Sequence, residues 1–225
     1  MSRARARVTL KLASSLDGRI ALASGASKWI TGAKAREAVH KLRSEHDAVL
    51  TGSGTVLADD PALTARPGGR LARRQPRRVI LDSTLATPPG AALFSQPGGG
   101  GVLVFTTQND PLAREALETS GAEVRLAEPD KQGRPAWKGV LSALAEAGAR
   151  SVMIEAGGRI AASAIAAGVV ERIEWFRAPI LLGGDGLPAI AALGLEALAD
   201  APTFQRVKLR EVGDDLWESY ERGAG

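Results

Sequence analysis

From about residue 31 to residue 168 this chain alternates helical stretches with short, continuously apolar runs, and beyond that strands predominate. Apolar runs that do not alternate are buried on both faces, as in a parallel sheet covered by helices. The order therefore predicts an α/β fold: a mostly parallel central sheet flanked by helices, with antiparallel strands at the C-terminal end. At 225 residues and 44% apolar content the chain has the material for one core, and a single domain over 1–225 is expected.

In detail, 8–16 reads as a strand, Asp17-Gly18-Arg19 as a turn, and 20–23 as the strand's continuation. Thr31 is expected to cap a helix over 33–46 with Ala35, Val39 and Leu42 on its inner face. Strands follow at 47–51, 78–83, 102–105, 123–126 and 151–154. Helices are expected at 111–121, with Asp110 as N-cap and Pro111 as first residue, at 137–147 and at 160–167. A long strand is expected over 169–179, and 204–211 with 215–220 form an antiparallel pair about Val212-Gly213-Asp214.

Composition removes several functions. The chain has no cysteine, which excludes disulfides, thiolate metal ligands and cysteine nucleophiles. No apolar run reaches membrane-spanning length, and the basic N-terminus leads straight into a strand pattern, so neither membrane nor signal peptide is expected and the cytoplasm is. The net charge of +4 includes an arginine run, Arg70 to Arg78, that lacks interleaved aromatics. That run is read as a solvated loop, without nucleic-acid binding. No metal cluster, Walker loop, nucleophile elbow or Gly-x-Gly-x-x-Gly motif occurs. His40 and His46 fall on the first helix and are expected at the surface.

Two blocks remain as candidates. Residues 51–66 run from a strand end through a small-residue turn and a short apolar step to Asp59-Asp60-Pro61, then Arg66. They present an acid and a phosphate- or carboxylate-binding cation to one cleft. Alternatively, Asp59-Asp60-Pro61 is an Asp N-cap with a turn-setting proline. Residues 154–160 put Glu155 at a strand end and Gly157-Gly158 before Arg159 and Ile160, freeing amides at a helix start for a pyrophosphate. Alternatively those glycines serve a tight turn's backbone angles. Trp29, in a polar loop, either anchors that loop or stacks on a ring.

The strings Lys11-Leu12-Ala13-Ser14-Ser15-Leu16-Asp17-Gly18-Arg19, Ser27-Lys28-Trp29-Ile30-Thr31 and Leu57-Ala58-Asp59-Asp60-Pro61-Ala62-Leu63-Thr64 carry a resemblance. So do Val79-Ile80-Leu81-Asp82-Ser83, Glu155-Ala156-Gly157 and Ala178-Pro179-Ile180-Leu181-Leu182-Gly183-Gly184. Taken in order, they make the chain similar to the reductase domain of the bacterial riboflavin-biosynthesis RibD family, which has a dihydrofolate-reductase-like fold. The resemblance implies NADPH-dependent reduction of 5-amino-6-(5-phosphoribosylamino)uracil, and a homodimer. It assigns the cofactor to Ala13, Trp29, Thr55, Asp59, Ser83 and the turn and helix start Gly157, Gly158, Arg159, Ile160, Ala161, Ala162 and Ser163. It assigns the substrate to Ser27, Arg43, Leu63, Arg66 and Glu155. Ala13 stands where some relatives carry glycine. Members of the family usually carry a zinc deaminase with a Pro-Cys-x-x-Cys signature before this domain; these 225 residues hold no cysteine, and a separate deaminase is the expected partner.

The implied reaction opens the ribosylamine to an imine, delivers hydride to C1′ and leaves negative charge on the adjacent nitrogen, so a proton source is needed. Asp59 and Glu155 are the candidate acids, with Lys11 a third. Glu155 is assigned chiefly to holding substrate and Asp59 to the junction with the nicotinamide. Ser83 and Thr84, or Thr106 and Thr107, are expected to meet a 2′-phosphate and favour NADPH over NADH. The competing expectations are reduction of the undeaminated diaminopyrimidinone or a related heterocycle. A further alternative is a non-catalytic partner of a deaminase that uses Trp175 and Phe176 at an interface.

Overall fold

The apolar runs become strands and the periodic stretches between them become helices. The computed structural model describes residues 6–223. The strands are β1 (Arg7–Ser14), β2 (Arg19–Ala21), β3 (Ala48–Gly52), β4 (Arg77–Leu81), β5 (Val102–Thr106), β6 (Ala122–Leu126), β7 (Ser151–Ile154), β8 (Arg172–Arg177), β9 (Leu187–Pro188), β10 (Phe204–Val212) and β11 (Asp215–Arg222). The helices are α1 (Ala33–Glu45), α2 (Ser53–Asp59), α3 (Pro111–Thr119), α4 (Trp137–Glu146) and α5 (Gly158–Ala166). Two compact units account for these elements, one built mainly from His40–Met153 and the other from Val8–Val39 with Ile154 onward.

In the first unit the strands lie in the order β7-β3-β4-β5-β6, and the β3–β4, β4–β5 and β5–β6 pairs are all parallel. Every residue of β3 and β5 is buried, as continuous apolar strands require. Val56, Ile80, Leu93, Val104, Leu117 and Val124 share one cluster with Phe94 against its side. Burying a side chain of this size stabilises by roughly 1.5–3 kcal/mol. Asp110 caps α3 as its sequence predicts, accepting from the amides of Leu112 and Ala113.

In the second unit the order is β10-β11-β8-β1. β1 and β8 are parallel, and β11 runs antiparallel to both β8 and β10. The β10–β11 turn needs Gly213 at φ 74. Phe176 on β8 is fully buried and stacks on Trp217 at 4.9 Å, so Phe176 is core rather than interface. The Trp175 indole donates to Ser14 Oγ at 2.8 Å. Beside them the buried Glu174 accepts from Trp217, Ser219 and Arg172. That set compensates the charge a β-strand would otherwise bury alone.

Several expectations need correction. The strand expected over 169–179 is only the six residues of β8. β2 does not extend β1; it pairs with β9 in a separate two-stranded ribbon, and β9 is too short to leave a pattern in the sequence. The first turn of α1 closes on Gly32, not Thr31, and the buried Asp215 carboxylate accepts the Gly32 amide at 2.7 Å. Arg78 is not solvated: it is buried, donating to the carbonyls of Gly99 and Gly101. The histidines are half-buried rather than at the surface, with His40 Nδ1 3.1 Å from Thr64 O and His46 Nδ1 2.7 Å from Leu42 O. His46 also lies just past the end of α1.

Candidate active site

In the first unit the residues after α2 form one tightly held loop. Asp59 is the exposed last residue of α2, on which Thr55 is half-buried. Asp60 follows in the left-handed region at φ 41, ending the helix with its amide on Val56 O. The Asp60 carboxylate is therefore no N-cap for a following helix; it accepts instead from the Ala92 amide at 2.7 Å. Leu63 is left-handed too, at φ 50, and its side chain is buried. A non-glycine residue in that region costs on the order of 1–3 kcal/mol, so surrounding bonds must enforce it. Gln75 supplies some of them: buried itself, it accepts from the Ala65 amide and donates to the carbonyls of Ala65 and Ala72, each at 2.9 Å.

That loop gathers the two arginines at Thr64. Arg43, from α1, donates to Thr64 O at 3.0 Å, and Arg66 Nε donates to Thr64 Oγ1 at 3.0 Å. Arg66 Nη2 also reaches Gln96 Oε1 at 3.1 Å. Among the described residues no carboxylate pairs with Arg66. Arg66, oriented by neutral oxygens, and Arg43, bonded to the same threonine, suit a bidentate, dianionic partner such as a phosphate.

Ser83 is half-buried just past β4, in a turn built on buried Asp82, whose carboxylate accepts the amides of Thr84, Ala86 and Thr87. The Thr106 and Thr107 hydroxyls are turned to backbone groups of that turn and of Gln108 and Gly133. This leaves Ser83 and Thr84 as the better candidates for a 2′-phosphate.

The second unit holds the other candidates. Lys11 on β1 and Glu155 after β7, 144 residues apart, pair at 3.3 Å with both side chains largely shielded. Ala13 is half-buried on β1. Ser27 is half-buried and Trp29 exposed on their loop; the Arg36 guanidinium lies 4.3 Å over the indole. A cation–π contact thus steadies the tryptophan while 71% of it remains accessible.

The start of α5 separates the two glycines. Gly157 is the N-cap at φ −67 and Gly158 opens the helix, so no left-handed angle accounts for either. A Cβ on Gly158 would lie 2.2 Å from Pro188 O, so its hydrogen side chain lets the segment after β9 approach, with the Ala191 amide bonded to Gly158 O at 3.0 Å. A Cβ on Gly157 would meet nothing within 4 Å. The first turn has no side-chain cap, and its leading amides lack intrahelical acceptors. An open, uncapped helix start is the shape and polarity a nucleotide pyrophosphate needs. Further along α5, Ala161 and Ala162 are buried, Ile160 and Ser163 half-buried and Arg159 exposed.

In the amino-acid order Asp17 reads only as a turn residue, yet it fixes the loop after β8. Its carboxylate accepts from Ser15 Oγ at 2.5 Å and from the amides of Leu182 and Gly183. The Ser15 hydroxyl, with those amides, lowers its pKa to about 2. Gln75 and Gln96 have no motif to announce them, and their partners are backbone groups and a guanidinium brought in by the fold; Asp17 lies within a family string, but its bonds to Leu182 and Gly183 are made by the fold.

These features define an α/β protein of the dihydrofolate-reductase-like class, with two arginines gathered at Thr64 and an open helix start. The profile of the RibD C-terminal domain matches residues 6–217, and the chain belongs to that family. It is 39% identical to the riboflavin biosynthesis protein RibD of Escherichia coli K12 over 221 residues, covering 93% of this chain and 58% of that protein. Against RibD of Bacillus amyloliquefaciens it is 38% identical over 211 residues, 93% of this chain and 55% of the relative. The chain therefore spans a little over half the length of these relatives. Among solved structures, Acinetobacter baumannii RibD superposes with a TM-score of 0.82 at 31% identity, over 99% of this chain and 60% of that one. The Saccharomyces cerevisiae riboflavin biosynthesis reductase Rib7 shares the fold, with a TM-score of 0.75 at 22% identity over 99% of this chain and 92% of that one.

Proposed function

We propose that this chain reduces 5-amino-6-(5-phosphoribosylamino)uracil with NADPH, giving the ribitylamino product. Supporting the substrate class, a Thermotoga maritima protein bearing both deaminase and 5-amino-6-(5-phosphoribosylamino)uracil reductase in its name superposes with a TM-score of 0.77 at 30% identity, over 97% of this chain and 57% of that one. The observation that carries the reading is the start of α5, where Gly157 opens onto space and the helix lacks a cap. In this proposal the amides of Gly158 and Arg159 hold the coenzyme's pyrophosphate, Trp29 offers an accessible ring face, and Ser83 with Thr84 meets the 2′-phosphate. NADPH supplies the hydride that adds to C1′ of the opened ribosylamine.

The chain's own residues do the rest. Arg43 and Arg66 take the ribose phosphate, and Ser27 and Glu155 hold the remainder of the substrate. Reduction of the C=N bond leaves an electron pair on nitrogen that must gain one proton. The Lys11 ammonium has N–H donors to give, whereas a carboxylate ion-paired to it is an acceptor. Lys11 is thus promoted over Glu155 as the donor, with Glu155 orienting it and Asp59 placed against the coenzyme. A homodimer, and a zinc deaminase activity preparing the substrate, complete the proposal.

The test follows nicotinamide absorbance with the purified protein and either the deaminated or the undeaminated pyrimidine. Oxidation of NADPH with the deaminated compound is expected. Turnover of the undeaminated compound alone would overturn the substrate, and turnover of neither would overturn the reaction.

A further inference from the structure

We propose that Gln96 is a specificity-determining positioning residue: it aims Arg66 through a neutral acceptor, leaving the guanidinium's charge for the phosphate. This rests on the reading of Arg43 and Arg66 as the phosphate site. Gln96 lies outside every string that links the chain to its family, on the segment that follows β4.

The direction of its amide is settled by two bonds. Gln96 Nε2 donates to Ala92 O at 2.7 Å, which turns Oε1 to Arg66 Nη2 at 3.1 Å. Ala92 is itself fixed, because its amide donates to the Asp60 carboxylate at 2.7 Å and its neighbours Ala91 and Leu93 are buried. Arg66 is held at Nε as well, by Thr64 Oγ1, the residue whose carbonyl also receives Arg43. The α2 end, the Ala92 turn and the arginine loop thus form one hydrogen-bonded chain with Gln96 as its link.

A glutamate would satisfy the same arginine more strongly, since charge-assisted bonds are about twice as strong as neutral ones. It would also neutralise Arg66 and repel an incoming phosphate. An amide orients without neutralising. Gln96 therefore discriminates phosphorylated from unphosphorylated sugar derivatives, and does so by charge rather than by packing.

Ribose 5-phosphate, without coenzyme, is the probe, with its Kd measured by calorimetry alongside KM and kcat for the pyrimidine. Gln96→Glu is expected to weaken ribose 5-phosphate about ten-fold or more and to raise KM similarly, with kcat within about two-fold. Gln96→Leu, which removes the bonds without adding charge, is expected to weaken binding clearly less than Gln96→Glu. An equal or larger loss in Gln96→Leu would overturn the charge argument. Arg66→Ala separates the two layers. If it leaves Kd unchanged, the phosphate reading itself fails. If it weakens binding while Gln96→Glu does not, only the role of Gln96 fails. Should Gln96→Glu not fold, Gln96→Leu decides, and unchanged affinity there would overturn the proposal.

Discussion

Replacing Gly157 and Gly158 by alanine, one at a time, separates ligand binding from folding at neighbouring positions. At Gly158 the new methyl would sit 2.2 Å from Pro188 O and 3.2 Å from the Ala191 amide nitrogen, so backbone must move. Overpacking of that kind costs roughly 1–3 kcal/mol. In a domain of this size that lowers Tm by about 2–12 °C, at roughly 2–4 °C per kcal/mol. At Gly157 two small effects oppose each other. Alanine fits φ −67, and a stiffer unfolded chain stabilises by about 0.4–1 kcal/mol. Alanine is also a poorer N-cap than glycine, by roughly the same amount. Tm should therefore stay within about 3 °C of the parent. Coenzyme binding is another matter, because the methyl fills the space a pyrophosphate would enter. Losing one charge-assisted contact of about 1.5–3 kcal/mol weakens NADPH ten- to a hundred-fold or more. Melting curves with and without NADPH, and a calorimetric titration, measure both quantities. Unchanged NADPH affinity in Gly157→Ala would refute the assignment of α5 as the pyrophosphate site. A Gly158→Ala protein as stable as the parent would refute the packing argument.

Lys11→Met should lower kcat by roughly two to four orders of magnitude with little change in NADPH affinity, the range for loss of a proton donor; normal single-turnover rates would remove Lys11 from that role. Asp59→Asn should also slow turnover, and normal turnover with NADPH would detach Asp59 from the reaction. Asp17→Asn bears on acid stability. The folded pKa of Asp17, about 2, lies below its ordinary 3.8, so its contribution is complete above about pH 4 and disappears as pH falls through 2. The Tm difference between parent and Asp17→Asn should therefore shrink between pH 4 and pH 2, as calorimetry at several pH values would measure; a constant difference would contradict the carboxylate's role. Phe176→Ala should cost about 3–5 kcal/mol in urea unfolding, since the ring is fully buried against Trp217.

Elements with strong local chemistry were readable in the amino-acid order. Asp110-Pro111 starts α3 through bonds confined to its own first turn, and Gly213 turns the β10–β11 hairpin. The continuous apolar runs of β3 and β5 announce burial on both faces. Features made by distant partners were not readable. The pairing of Lys11, in the middle of β1, with Glu155 spans 144 residues, which no local pattern encodes. β2 and β9 are too short for periodicity, and their pairing left the expected strand continuation wrong. Arg78 looks like its neighbours in the arginine run, and only the Gly99 and Gly101 carbonyls set it apart. Asp59, Arg66, Glu155, Gly157-Gly158 and Trp29 stand out by residue type and place along the chain, and the other candidates come from family motifs. What holds them came from the structure: Gln75 on the Ala65 backbone, Gln96 on Arg66, and open space beside Gly157.

A crystal structure of the protein with NADPH and ribose 5-phosphate tests the central claim most directly. The account predicts the coenzyme's pyrophosphate on the amides of Gly158 and Arg159, and the sugar phosphate on the guanidiniums of Arg43 and Arg66. Density that put the pyrophosphate on the two arginines, or left the start of α5 bare, would contradict it.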